Sequence, residues 1–208
     1  MAATRVKICG ITSLTDALCA INAGADALGF VFHEKSPRYI TPLKAQRIIA
    51  ELPPFVTTVG LFVNTPRTKI EQIMTMTRLQ VIQLHGDETP VDCTGFEPWP
   101  VIKALQVKDA ASLEGVVQYQ VNGLLLDAWS GKQYGGSGRC FDWQLLKDLN
   151  RNVPLILAGG LTPDNVVEAI SQVSPYGVDV SSGVESSPGR KDHQLIVQFI
   201  RQVKNNEI

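Results

Sequence analysis

A chain of 208 residues can bury one good core or two very small ones, and its size favours a single domain over residues 1–208. With 44% hydrophobic and 19% charged residues it is neither a disordered tail, nor a coiled coil, nor a fibrous repeat. Its 19 basic and 20 acidic side chains give a net charge of -1, so no bulk field draws it to nucleic acid or an anionic membrane. A local basic pocket for a small anion is still allowed.

The longest stretch free of Asp, Glu, Lys and Arg, residues 52–66, contains Pro53, Pro54 and Asn64 and does not read as a bilayer span. Arg5 and Lys7 fall where a signal peptide would need its apolar segment, so a cytoplasmic chain is expected. Cys9, Cys19, Cys93 and Cys140 are far apart and form no C-x-x-C pair, which predicts reduced thiols, no disulfide framework and no metal site.

In chain order, short apolar and β-branched runs occupy residues 5–9, 27–32, 57–63, 79–84, 101–104, 123–126, 154–158 and 177–181, giving eight predicted strands. Helical spacing and start signals mark residues 14–23, 42–51 after Thr41, 66–77 after Thr65, 143–149 after Asp142, 163–172 after Thr162, and 192–204. Periodicity is weakest between Asp87 and Gly95. Runs such as Val153 to Ala158 are apolar throughout, as parallel strands covered on both faces require. Eight units in 208 residues average about 26 each, which suits a compact α/β barrel of eight parallel strands, a TIM barrel. The competing doubly wound sheet usually carries a Gly-x-Gly-x-x-Gly turn after its first strand. Here that strand is followed by Gly10-Ile11-Thr12-Ser13.

In such a barrel the site is built from the loops that follow the strands. That filter selects Cys9, Arg38, Asn64, His85, Asp127, Gly159 with Gly160, and Ser181-Ser182-Gly183. Glycine-rich turns after the last two strands, with a short helix starting near Gly183, are the usual barrel site for a phosphate. Taken singly, each glycine is an ordinary turn residue.

A lone cysteine with apolar neighbours, such as Cys9, is more often a small buried hydrophobe than a base. Lys7, two residues earlier on the same strand face, is expected to help ionise it. Asp127 at the rim of an apolar wall is a turn or capping residue or an acid; as an acid it must stay protonated well above its ordinary pKa of about 3.9. The glycine-rich stretch 128–139 reads as a lid but lacks the Gly-Lys-Ser/Thr of a nucleotide-binding loop. His85 is expected to line the site without acting as base, and Arg38 to clamp a carboxylate. His33 and His193 acquire no partner from the sequence.

Several segments together closely resemble the phosphoribosylanthranilate isomerase family of tryptophan biosynthesis. They are Val6-Lys7-Ile8-Cys9-Gly10-Ile11-Thr12, Gly24 to Phe32, Ser36-Pro37-Arg38-Tyr39-Ile40, Val59 to Asn64, Gln83-Leu84-His85-Gly86-Asp87-Glu88, Tyr134-Gly135-Gly136-Ser137-Gly138 and Ala158-Gly159-Gly160-Leu161. The resemblance spans the chain and is that of a stand-alone isomerase. It implies an Amadori rearrangement of a small-molecule substrate, phosphoribosylanthranilate, without redox change or cofactor. Asp127 would be the general acid at the ribose ring oxygen and Cys9 the general base at the second sugar carbon. Arg38 would hold the anthranilate carboxylate, and the backbone at Gly159, Gly160, Ser182 and Gly183 the phosphate. A non-catalytic sugar-phosphate-binding barrel and another phosphate-binding barrel enzyme, such as indole-glycerol-phosphate synthase, are the alternatives. Retention of both Cys9 and Asp127 argues against the first, and the absence of an apparent catalytic Lys and Glu set argues against the second. Monomer and homodimer both fit the sequence.

Overall fold

The first strand, β1 (Arg5–Cys9), shows how the residues sort. Val6 and Ile8 turn outward into the apolar layer shared with the helices, while Lys7 and Cys9 turn to the opposite face. The same alternation recurs in β2 (Ala27–Val31), β3 (Thr57–Phe62), β4 (Val81–Leu84), β5 (Val101–Val107), β6 (Gly123–Ala128), β7 (Leu155–Leu157) and β8 (Gly177–Val180). Each strand pairs in parallel with the next, and β8 returns to β1 with Asp179 opposite Lys7, so the sheet is a closed barrel. A doubly wound sheet is thereby excluded. The structure is a computed structural model that describes residues 3–128, 142–146 and 153–205.

Five helices lie among the described residues: α1 (Leu14–Ala23), α2 (Pro42–Ala50), α3 (Arg67–Thr77), α4 (Val166–Val173) and α5 (His193–Asn205). Ser13 caps α1 by accepting from the Asp16 amide at 3.1 Å, and Gly24 ends it with φ 105°, a conformation costly for any residue with a Cβ. Thr41 caps α2, with Pro42 in the first turn. Helix α5 buries Ile196, Phe199, Ile200 and Val203, spaced as one helical face.

Three expectations change. The helix expected from residue 163 starts at Val166, because Asn165 is used to shape the preceding loop: its Oδ1 accepts from the Thr162 amide and its Nδ2 donates to the Gly160 carbonyl. Asp127 lies within β6 rather than at its end, since β5 and β6 keep pairing as far as Val107 and Ala128. Of the helix expected over 143–149, residues Trp143–Leu146 form a 3-10 turn and the rest lies outside the described residues, as do residues 129–139 of the expected lid.

Where the sequence shows little period, after β4, the crossover contains only the 3-10 turn Val91–Cys93. A buried ion pair anchors that region. Lys103, 1% exposed, donates at 2.7 Å to the Gly86 carbonyl and at 2.7 Å to Glu88, which also accepts from the amides of Asn64 and Gly86. Removing one partner leaves the other buried and uncompensated, so Lys103→Met is expected to cost about 3–5 kcal/mol in urea unfolding. Lys103→Met/Glu88→Leu is expected to recover part of that loss; equal loss in the single and double variants would contradict this reading.

Candidate active site

A cavity of about 670 Å³, counting its solvent-open part, lies at the C-terminal mouth of the barrel. Of the strand-end residues selected from the sequence, Cys9, Arg38, His85, Asp127, Gly159, Gly160, Ser181, Ser182 and Gly183 line it. Asn64 does not; it is exposed and bonds reciprocally with Asp87.

On one side of the mouth three inward side chains form a chain. Gln83 Nε2 lies 3.1 Å from His85 Nδ1, and His85 Nε2 lies 3.2 Å from Asp127 Oδ2. Gln83 is fully buried, and His85 and Asp127 are nearly so. Gly159 follows β7 with φ 85°, and a Cβ there would come within 2.9 Å of Asp127 Oδ1 and strike the Ala128 backbone. This glycine therefore brings the turn directly against the carboxyl group.

Across the mouth, Cys9 sits against Val31, Leu61 and Val63. Lys7 Nζ donates to both oxygens of Asp179 at 2.9 Å, with both side chains buried. Burial alone would push the ammonium toward neutrality, but Asp179, together with Cys9, outweighs it, and the pKa of Lys7 is raised. Lys7 acts on the thiol in the expected direction, but against two opposing effects. Burial pushes Cys9 above its ordinary value, Asp179 adds to this, and the attraction of Lys7 and Lys191 offsets it only in part. Lys7 divides its charge between Asp179 and Cys9, so it does not by itself deliver a thiolate. Gly29, opposite Cys9 in β2, is bare for a reason: a Cβ there would meet Cys9 Sγ at 2.7 Å and Lys7 Nζ at 3.1 Å.

Arg38 is already gripped. Its Nε and Nη2 donate to the two Glu185 oxygens at 2.8 and 2.7 Å, a bidentate pair, and buried Lys191 donates to Glu185 at 2.9 Å and to the Ser181 carbonyl at 3.0 Å. Glu185 and Lys191 come from a small hairpin, β9 (Glu185–Ser187) and β10 (Arg190–Lys191). Burial lowers the pKa of Lys191, and Glu185 opposes that. The two glycine loops abut: Gly183, in the 3-10 turn Ser182–Val184, packs on the Leu161 carbonyl so closely that no Cβ fits.

Sequence reasoning missed Gln83, Asp179, Glu185 and Lys191. For Gln83 and Asp179 a signal existed, because each is polar at an inward position of a strand whose neighbours are apolar. Glu185 had none, since its partner Arg38 lies 147 residues away. His193 does find a partner in Asp16, at 2.9 Å, away from this cavity. Among the described residues no three His, Cys, Asp or Glu side chains form a metal-ligand group, and no helix is long and apolar enough to cross a membrane.

The family model described as N-(5'-phosphoribosyl)anthranilate (PRA) isomerase matches residues 6–202. The N-(5'-phosphoribosyl)anthranilate isomerase of Geobacter sulfurreducens is 58% identical over 200 residues, covering 96% of this chain and 98% of its own. A solved phosphoribosyl anthranilate isomerase in complex with reduced 1-(o-carboxyphenylamino)-1-deoxyribulose 5-phosphate superposes with a TM-score of 0.87 at 46% identity, covering 97% of this chain and 99% of its own. Monomers generated from the dimeric enzyme of Thermotoga maritima superpose with a TM-score of 0.87 at 44% identity, with the same coverage. A barrel closed in this order, with this mouth and these relatives, belongs to the phosphoribosylanthranilate isomerase family.

Proposed function

We propose that this chain performs the isomerase step of tryptophan biosynthesis with Asp127 as general acid and Cys9 as general base, turning N-(5-phosphoribosyl)anthranilate into 1-(2-carboxyphenylamino)-1-deoxyribulose 5-phosphate. The observation that carries the reading is the convergence on one mouth of a carboxyl group, a thiol, an arginine and two abutting glycine turns. Asp127 gives a proton to the ribose ring oxygen as the bond from that oxygen to the first carbon breaks, and the nitrogen lone pair forms the C=N bond of a Schiff base. The Cys9 thiolate takes the proton from the second carbon, and that electron pair becomes the carbon–carbon double bond of an enolamine. Protonation at the first carbon and loss of the enol proton give the ketone, with no net change of oxidation state.

The phosphate lies at the turns around Gly159, Gly160, Ser182 and Gly183, where backbone amides can donate to an anion. Arg38 holds the anthranilate carboxylate through the edge that Glu185 leaves open, and Val31, Leu61 and Val63 supply an apolar wall for the ring. His85 lines the site and holds Asp127. Lys7, with a smaller contribution from Lys191, favours ionisation of Cys9 against burial, through the attraction already noted.

The first test is turnover of freshly generated phosphoribosylanthranilate, followed by the loss of its fluorescence. Cys9→Ser and Asp127→Asn are each expected to lose about 10²–10⁴-fold in kcat while still binding the reduced product analogue, the range that a positioned acid or base contributes. An inactive wild type that binds the analogue would support a sugar-phosphate-binding barrel instead.

Alkylation of Cys9 by iodoacetamide, followed by tandem mass spectrometry, tests the base. Because burial raises this thiol, its midpoint is expected above the ordinary thiol value of about 8.5. Lys7→Met is expected to move it higher and to lower turnover, since removing the ammonium leaves Asp179 uncompensated beside the sulfur. No change in either would refute the role of Lys7.

We further propose a homodimer formed through the opposite end of the barrel. There Phe55, 99% exposed, stands beside an opening lined by Val59, Val81, Ile102 and Ile156, and one solved relative is named as dimeric. Sedimentation is expected to show a wild-type dimer and a monomeric Phe55→Ser with unchanged kcat; a wild-type monomer at micromolar concentration would contradict it.

A further inference from the structure

We infer that Gln83 holds His85 as its Nε2–H tautomer, so that Asp127 receives that N–H on Oδ2 and keeps the proton it donates on Oδ1. The inference rests on the reading of Asp127 as the general acid.

The argument starts from what each atom can do. A neutral imidazole has one N–H and one lone pair, so the partner of one nitrogen decides the role of the other. Gln83 presents its amide nitrogen, a donor, to His85 Nδ1 at 3.1 Å. Nδ1 must then accept, Nε2 carries the hydrogen, and the ring donates to Asp127 Oδ2 at 3.2 Å.

The opposite arrangement needs the Gln83 amide turned by half a revolution, with its oxygen accepting from an Nδ1–H. Surroundings decide between the two. Gln83 is 0% exposed, and its Oε1 has no partner among the described residues. As it stands, the carbonyl oxygen and one of the two amide hydrogens go unpaired among the described residues, whereas the turned-over amide would leave both hydrogens so. Turned over, the NH2 group would occupy that place and leave its donors without an acceptor, while Nε2 would lose its hydrogen. A carbonyl has more tolerance for this than a buried N–H, so the fold favours the ring as donor to Asp127.

The consequence is chemical. An Nε2 lone pair facing a protonated Asp127 would take its O–H in a hydrogen bond directed away from the cavity. With Nε2–H in place, Oδ2 is an acceptor, and the acidic hydrogen belongs on Oδ1. That oxygen faces the Gly159 turn, where a Cβ would come within 2.9 Å of it, and both residues line the cavity. Gln83 is thus a positioning residue: it acts on the acid through His85 and need not touch substrate.

The chain has 3 histidines, so nitrogen-15 NMR reads the tautomer directly, with His33→Gln and His193→Gln assigning the signals. In the wild type, His85 is expected with Nδ1 bare and Nε2 protonated at neutral pH. Gln83→Glu, compared at a pH where the new carboxyl group is ionised, offers only acceptors and is expected to put a hydrogen on Nδ1. Gln83→Leu is expected to give a mixed signal, with kcat down about tenfold, a fraction of what a positioned acid supplies, and KM within about twofold. A wild-type ring with Nδ1–H, or a Gln83→Glu ring identical to the wild type, overturns the inference even if the leucine variant fails to fold. An active wild type with Nδ1–H overturns this inference alone. An Nε2–H ring in a protein that does not turn over phosphoribosylanthranilate contradicts the isomerase reading, and with it the role given to the Oδ1 proton.

Discussion

A closed barrel gives its inward polar side chains no water to turn to, so each must be matched inside or at the mouth. The Lys7–Asp179 pair is where this constraint is met most directly, across the seam that closes the sheet. Opposite it in β1 and β8 register, the two side chains neutralise one another at 2.9 Å beside the sulfur of Cys9. The remaining polar interior follows the same rule. Gln83, His85 and Asp127 bond to one another in sequence, with Gln83 Oε1 the exception left unpaired, and Arg38, Glu185 and Lys191 form a third group around the rim. Beside them Ala104, Leu125 and Ala158, from neighbouring strands, pack as a small apolar cluster, and Ala158 lines the cavity.

These matched groups also set the chemistry. A phosphorylated substrate with a carboxylate brings negative charge to a site whose cations are already held by protein carboxylates, so it meets fixed donors instead of mobile ones. The proposed acid and base stand on different strands with different surroundings: a carboxyl group held by a histidine, and a thiol raised by burial and restrained by two lysines. Separation of that kind lets one group carry a proton while the other gives one up. Glycines complete the arrangement where a side chain would intrude: Gly29 below the thiol, Gly159 against Asp127 and Gly183 on the Leu161 carbonyl.

Much of the barrel was legible because alternation along a strand and capping at a helix start are local. The bounds of α1 and the starts of β1, β2, β3, β5, β6 and β8 could be read from a few adjacent residues. Local patterning fails where a residue is claimed by something distant. Asn165 looked like helix interior until its side chain was needed for the Gly160 loop, and Asp127 looked like a strand end until Gln106 extended the pairing. The site was legible as a set of strand-end residues, and the resemblance assigned roles to them. Its electrostatics were not, because Asp179 meets Lys7 across 172 residues and Glu185 meets Arg38 across 147. The expected help of Lys7 to Cys9 has the right direction, but its balance was not legible, because Asp179 shares the ammonium and itself raises the thiol.

The most direct test of the central claim, that fixed charges at the mouth orient one sugar phosphate between Cys9 and Asp127, is a crystal structure of this chain with the reduced product analogue. The account predicts the phosphate between the turns at Gly159-Gly160 and Ser182-Gly183, the carboxylate on Arg38, and the sugar chain between Cys9 Sγ and Asp127 Oδ1. An analogue bound in reverse, with its phosphate on Arg38, or bound outside the mouth, would contradict it.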